Sequence, residues 1–150
     1  MPISRLLYSS VSRLEPGALT IDRQITRIAG EAALLNEEAG ITGILVFVED
    51  QFIQILEGEA EVVEEIFERI CCDFRHAQVR LIDLVSVKER LFDRWHMARL
   101  CEGDDPGSSL DDDLRNIRYL LGVNARVAVE RMHETLLSYE EVVPRPVSKK

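Results

Sequence analysis

A chain of 150 residues, 46% of them hydrophobic, carries enough apolar surface for a full core, which excludes a disordered chain. Its formal net charge of −9 argues against a phosphate-backbone footprint, which needs a clustered basic face, though not against a local basic pocket. Three irregularly spaced cysteines, Cys71, Cys72 and Cys101, fit neither a disulfide framework nor a zinc site, and buried free thiols are expected.

The first residues lead straight into a strand-like run without a signal-peptide apolar region, and no stretch reaches membrane-spanning length, so a cytoplasmic protein is expected. Ile3 to Ser9 is short, apolar and compatible with a strand, and Pro16-Gly17 marks a loop. Thr20 suits the N-cap of a helix reaching about Glu38, in which Ile21, Ile25, Ile28, Ala32 and Leu35 recur at helical spacing. Gly40 stops it. Ile41 to Val48 reads as a buried strand rich in β-branched residues, and Glu49-Asp50 as a tight hairpin into Gln51–Leu56. A second helix is expected from about Glu61 to Asp73, with Val62, Val63, Ile66, Phe67 and Ile70 facing inward. Val79 to Val87 and Trp95 to Leu100 read as the fourth and fifth strands. The order βαββαββ predicts an α+β, ferredoxin-like sheet with two helices on one face.

Beyond this, Asp104-Asp105-Pro106-Gly107 signals a linker. Ser109 and Asp112 form a capping pair before Leu110, Leu114, Ile117, Leu120 and Leu121, and Gly122 suits a helix end. Asn124 can cap another helix bearing Ala125, Ala128, Val129, Met132, Leu136 and Tyr139, ended by Pro144 and Pro146. The expected domains are 1–103 and a helical extension, 104–150, whose two amphipathic helices pack on the second face of the sheet.

Polar residues among apolar neighbours mark where chemistry can sit. Gln54 lies within Phe52-Ile53-Gln54-Ile55-Leu56, where alternation buries its amide whichever face carries it. A buried amide without partners costs about 1–3 kcal/mol, so something must bond it, and a core backbone contact is one answer. On the first helix Ile28, Ala32, Leu35 and Asn36 share a face; on the second Ile66, Arg69, Ile70 and Asp73 do. Two such faces over a sheet offer a flat slot with apolar sides and polar rims, suited to a planar heteroaromatic ligand. Periodicity equally fits ordinary packing, with Arg69 and Asp73 as a surface ion pair worth a few tenths of a kcal/mol.

Five pieces occur in order: Leu7-Tyr8-Ser9-Ser10; Asn36 six residues before Thr42-Gly43; Phe52-Ile53-Gln54-Ile55-Leu56-Glu57-Gly58; Asp73-Phe74-Arg75-His76; and Phe92-Asp93-Arg94-Trp95-His96-Met97. Over roughly residues 3–100 this set resembles a BLUF domain. The resemblance implies a blue-light photoreceptor that holds FAD non-covalently, its ring between the two helices. Tyr8 falls at the photoactive tyrosine and Gln54 at the switching glutamine between it and the ring. Asn36 matches a ring-binding asparagine, Ile28 and Ile70 the residues above and below the ring, and Arg69, Asp73 and His76 polar positions at its pyrimidine edge or cofactor tail. Trp95 and Met97 match the strand that carries the change outward. Ala32 and Leu35 depart from relatives with serine and asparagine there, which removes one or two ring hydrogen bonds. The expected output is not catalysis. No cyclase, phosphodiesterase or DNA-binding domain follows, so a separate effector protein is the expected partner, together with self-assembly into a homo-oligomer and no nucleic acid or membrane contact. Two other readings of the same fold are an acylphosphatase, for which the loop Ser10–Leu19 offers Arg13 but no glycine-rich phosphate cradle, and a flavin-free ligand-binding or oligomerisation domain.

Overall fold

A computed structural model of the chain describes residues 3–73, 75–99 and 109–140. The elements are β1 (Ile3–Ser12), α1 (Ile21–Ala39), β2 (Thr42–Val48), β3 (Gln51–Gly58), α2 (Ala60–Cys71), β4 (His76–Val87), β5 (Trp95–Arg99), α3 (Ser109–Leu121) and α4 (Ala125–Glu140). The sheet order is β4-β1-β3-β2-β5, antiparallel throughout except that β5 runs parallel to β2. This is the expected ferredoxin-like α+β plan with a fifth strand added beside β2. Elements up to Arg99 form one compact unit, and α3 and α4 belong to a second.

The caps act as the residue types dictate. The Thr20 hydroxyl accepts from the Arg23 N–H at 3.2 Å, and Gly40 takes the left-handed φ of 74° that closes α1. Glu49 and Asp50 both adopt positive φ, the geometry of a two-residue hairpin that matches strand twist. β3 lies between β1 and β2 and is buried from Phe52 through Gly58, which explains its near-continuous apolar run. Leu6, Tyr8 and Leu56 meet Val63 of α2, while Leu45, Phe47 and Phe52 meet Ile25 and Ile28 of α1. Cross-strand register sets all these strand residues on one face, so both helices cover that face.

Three expectations shift. α2 ends at Cys71, not Asp73, because the Asp73 carboxylate accepts the Arg75 N–H at 2.9 Å and draws the chain into a turn. β4 starts at His76, not Val79, and pairs with β1 as far as Ser12. It does so through two register irregularities, one of which contains Gln78 at a φ of 50°. Cys71 and Cys72 are exposed rather than buried, since they end α2 off its inward stripe. Cys101 lies outside the described residues.

In the second unit, α3 and α4 pack together and bury Leu114, Ile117, Ala128 and Met132. Asn124 caps α4, its Oδ1 accepting the N–H groups of Arg126 and Val127 at 3.1 and 3.2 Å. The linker signal Asp104–Gly107, the Ser109 side chain, Pro144 and Pro146 lie outside the described residues.

Candidate functional site

The middle of the sheet sets the floor. Gln54 on β3 stands opposite Tyr8 on β1 and Leu45 on β2. The Tyr8 hydroxyl donates to Gln54 Oε1 at 2.6 Å, with both residues almost fully buried. Burial, reinforced by the charges of Asp73 and Cys71, pushes the Tyr8 phenol far above its ordinary value of 10, so it stays protonated. Gln54 spends its amide oxygen on this bond. Among the described residues its Nε2 has no protein partner.

The walls come from the helices. Ile28, Ala32, Leu35 and Asn36 of α1 face Ile66, Arg69 and Ile70 of α2 across a slot of about 260 Å³, with Tyr8 and Gln54 beneath. Asn36 is 3% exposed, and among the described residues its side-chain amide makes no hydrogen bond. Two otherwise buried residues thus open unspent amide atoms onto one slot, where a ligand can take them up. Asn36 offers two donors and an acceptor and Gln54 its amide donors, which suits the edge of a planar ring that carries carbonyls and ring nitrogens.

The rim is charged. Arg75 binds Asp73 with Nη2 at 2.7 Å and Nε at 3.0 Å, and reaches Glu31 of α1 at 3.2 Å. The Arg75 hydrogen bond holds the Asp73 carboxyl below its usual range. Asp73 therefore pairs with Arg75, not with Arg69; Arg69 lines the slot and among the described residues has no carboxylate partner. His76 Nδ1 lies 2.7 Å from Ser10 Oγ, and its ring packs against Tyr8 and Phe52. Burial pulls its pKa below the ordinary 6.5, against the raising charge of Asp73.

The structure thus brings Tyr8, Ile28, Asn36, Gln54, Arg69, Ile70, Asp73 and His76 to one slot. Trp95 is not in its lining. It packs partly buried against the cluster of Ile25, Ile28, Leu45, Phe47 and Phe52, and its indole N–H is buried and among the described residues has no hydrogen-bond partner. Met97 stands opposite Leu45 in the β5 register, and its side chain lies outside what is described. The sequence pattern marked Ser10, Arg75 and Glu57 only as members of the ordered pieces, with no role of their own, and passed over Glu31. Glu31 falls three residues after Ile28 on the same helix face, so spacing could have found it. Glu57 is fully buried and accepts from Arg5 Nε at 2.7 Å and from the backbone N–H groups of Leu91 and Phe92, each at 2.9 Å.

The family model described as BLUF, sensors of blue-light using FAD, matches residues 3–98. The photoactivated adenylate cyclase subunit alpha of Euglena gracilis is 30% identical over 95 residues, 63% of this chain and 9% of the relative. The chain thus spans about a tenth of the length of that curated relative. Among solved structures, the photo-activated state of BlsA is 26% identical with a TM-score of 0.62, covering 99% of both chains. The dark state of BlrB, a BLUF protein, shares the fold with a TM-score of 0.70 at 24% identity, covering 92% of this chain and 97% of that one.

Proposed function

This chain belongs to the BLUF family of blue-light sensors using FAD, and from that premise we propose that Tyr8 and Gln54 are its photoactive pair and that the slot between α1 and α2 is its flavin site. The observation that carries the reading is the buried 2.6 Å hydrogen bond from Tyr8 to Gln54 at the floor of a slot on which Gln54 Nε2 and the Asn36 amide remain unspent. The residues fit a flavin ring: Ile28 and Ile70 flank the slot, Asn36 and Gln54 supply edge hydrogen bonds, and Arg69, Asp73 and His76 sit toward the polar rim or the cofactor tail. Ala32 and Leu35 add no hydrogen bond, so the two amides carry ring recognition. When bound, the flavin supplies blue-light absorption and, once excited, an oxidant strong enough to draw an electron from a nearby phenol.

Tyr8 holds its proton in the dark because burial disfavours phenolate. An oxidised phenol is a strong acid, and Gln54 Oε1 is the acceptor already in place. An amide can receive that proton on its oxygen and release one from its nitrogen, so that once an electron and a proton have returned to Tyr8 the Gln54 amide is left with its donor and acceptor ends interchanged. The chain's own change is then a new hydrogen-bond pattern at one buried amide, which makes it a switch and not a catalyst.

FAD is the flavin of this reading; flavin extracted from the purified protein and identified by mass identifies it. Residues 1–103 form the sensor and 104–150 the helical extension. β5, with Trp95 and Met97, carries the change toward that extension, whose surface meets a separate effector protein or a second copy of the chain. The acylphosphatase alternative is not favoured, and Arg13 is exposed outside the slot. The test is the absorption spectrum before and after blue light. A yellow protein with a small, reversible red shift supports the reading; colourless protein that takes up no FAD overturns it.

A further inference from the structure

Glu57 is a fully buried carboxylate with no place in the slot. Stripping water from a carboxylate is costly, so its partners must be numerous and well placed. They are: Arg5 Nε donates to Oε2 at 2.7 Å, the Leu91 N–H reaches both oxygens at 2.9 and 3.0 Å, and the Phe92 N–H reaches Oε1 at 2.9 Å. The backbone carbonyl of Glu57 accepts from Arg90 Nη1 at 3.0 Å, which also donates to Thr42 Oγ1 at 2.8 Å. One residue thus ties β1, β2 and β3 to the segment that enters β5.

Register gives this knot its meaning. Arg5 pairs with Glu57 on the same two strands on which Tyr8 pairs with Gln54. The two rungs lie three positions apart on each strand, an odd offset, so they stand on opposite faces. The segment fixed by Glu57 continues through Arg94, whose carbonyl accepts the Gly43 N–H at 3.1 Å, directly into Trp95.

We propose that Glu57 is a positioning residue of the light response: its carboxylate clamps the entry of β5 to β1 and β3, so that a change at the Tyr8–Gln54 bond reaches β5. The proposal rests on the photosensor reading above. Without the clamp, the flavin spectrum still switches but β5 no longer follows it.

The experiment is hydrogen exchange of the full chain, dark and illuminated, with the flavin spectrum recorded on the same samples. In the parent protein, illumination changes exchange at residues 95–99. In Glu57→Gln, which keeps the shape and removes the charge, the red shift is retained while that light-dependent difference falls about ten-fold. Glu57→Asp restores part of it. If Glu57→Gln does not fold, Arg5→Gln, which leaves the backbone bonds in place, shows a smaller loss of the same sign. A parental light-dependent difference at 95–99 in Glu57→Gln, or in Arg5→Gln where only that variant folds, overturns the proposal. A parent protein with no red shift overturns the photosensor reading, and this proposal with it.

Discussion

Replacing Gln54 with leucine keeps the slot apolar and removes the acceptor that Tyr8 uses at 2.6 Å. The expected protein retains flavin and loses the red shift; an unchanged light-state spectrum contradicts the role given to Gln54. Tyr8→Phe, which removes the proton source and keeps the ring packing, is expected to abolish the same shift. Acid tests the rim. Burial holds His76 below its ordinary 6.5, and the Arg75 hydrogen bond holds Asp73 below its ordinary 3.8. Both groups bind protons more weakly folded than unfolded. Their contribution to stability is therefore present above the ordinary values and lost as pH falls through the folded ones. The melting temperature of the flavin-free protein should drop between pH 7.5 and pH 5 as His76 takes up its proton and again below about pH 4 as Asp73 does, and His76→Gln should flatten the first drop. Gln54 was legible because alternation is a local rule and an amide in an apolar strand violates it. Glu57 was not, although it stands three residues away. Its partner Arg5 is 52 residues distant and Leu91 is 34, and no periodicity reports contacts of that range.

At the level of elements, every strand and helix of the first hundred residues was readable from hydrophobic period and punctuation. The misplaced boundaries have two causes, a side chain bonding locally to backbone and a long-range strand pairing. Asp73 ends α2 early by capping the turn that follows, and the bulged β4 reaches back to His76 because β1 continues past its apolar run to Ser12. The β2–β5 junction makes the sharpest prediction. Gly43 has a φ of 148°, and a Cβ there would lie 1.9 Å from the Ile55 carbonyl oxygen. Its N–H also holds the residue before β5. Gly43→Ala combines backbone strain with a clash against backbone, which cannot rotate aside, and should cost at least about 3 kcal/mol in urea unfolding of the flavin-free protein. A loss below about 1 kcal/mol contradicts the geometry. The parallel pairing of β5 itself was not legible in the sequence, because a five-residue strand carries no mark of its direction.

For the whole molecule, the site draws on Tyr8 early in the sensor unit and His76 late in it, while none of the described slot residues comes from beyond Arg99. A fragment of residues 1–103 should therefore still take up flavin and show the red shift, which absorption spectroscopy can check; a fragment that folds but stays colourless refutes that division of labour. None of the described helices is long and apolar enough to cross a membrane. The buried carboxylate of Glu57 also constrains the order in which the chain can assemble. As the chain emerges from the ribosome, β1, α1, β2 and β3 are available long before Leu91 and Phe92, the last donors Glu57 needs. Until they arrive, that carboxylate must keep its water, and the end of the β1–β3 ladder must stay open. The β5 side of the sheet thus waits on donors that emerge late in the chain, and Glu57 should belong to the residues whose native interactions form after the folding transition state rather than within it.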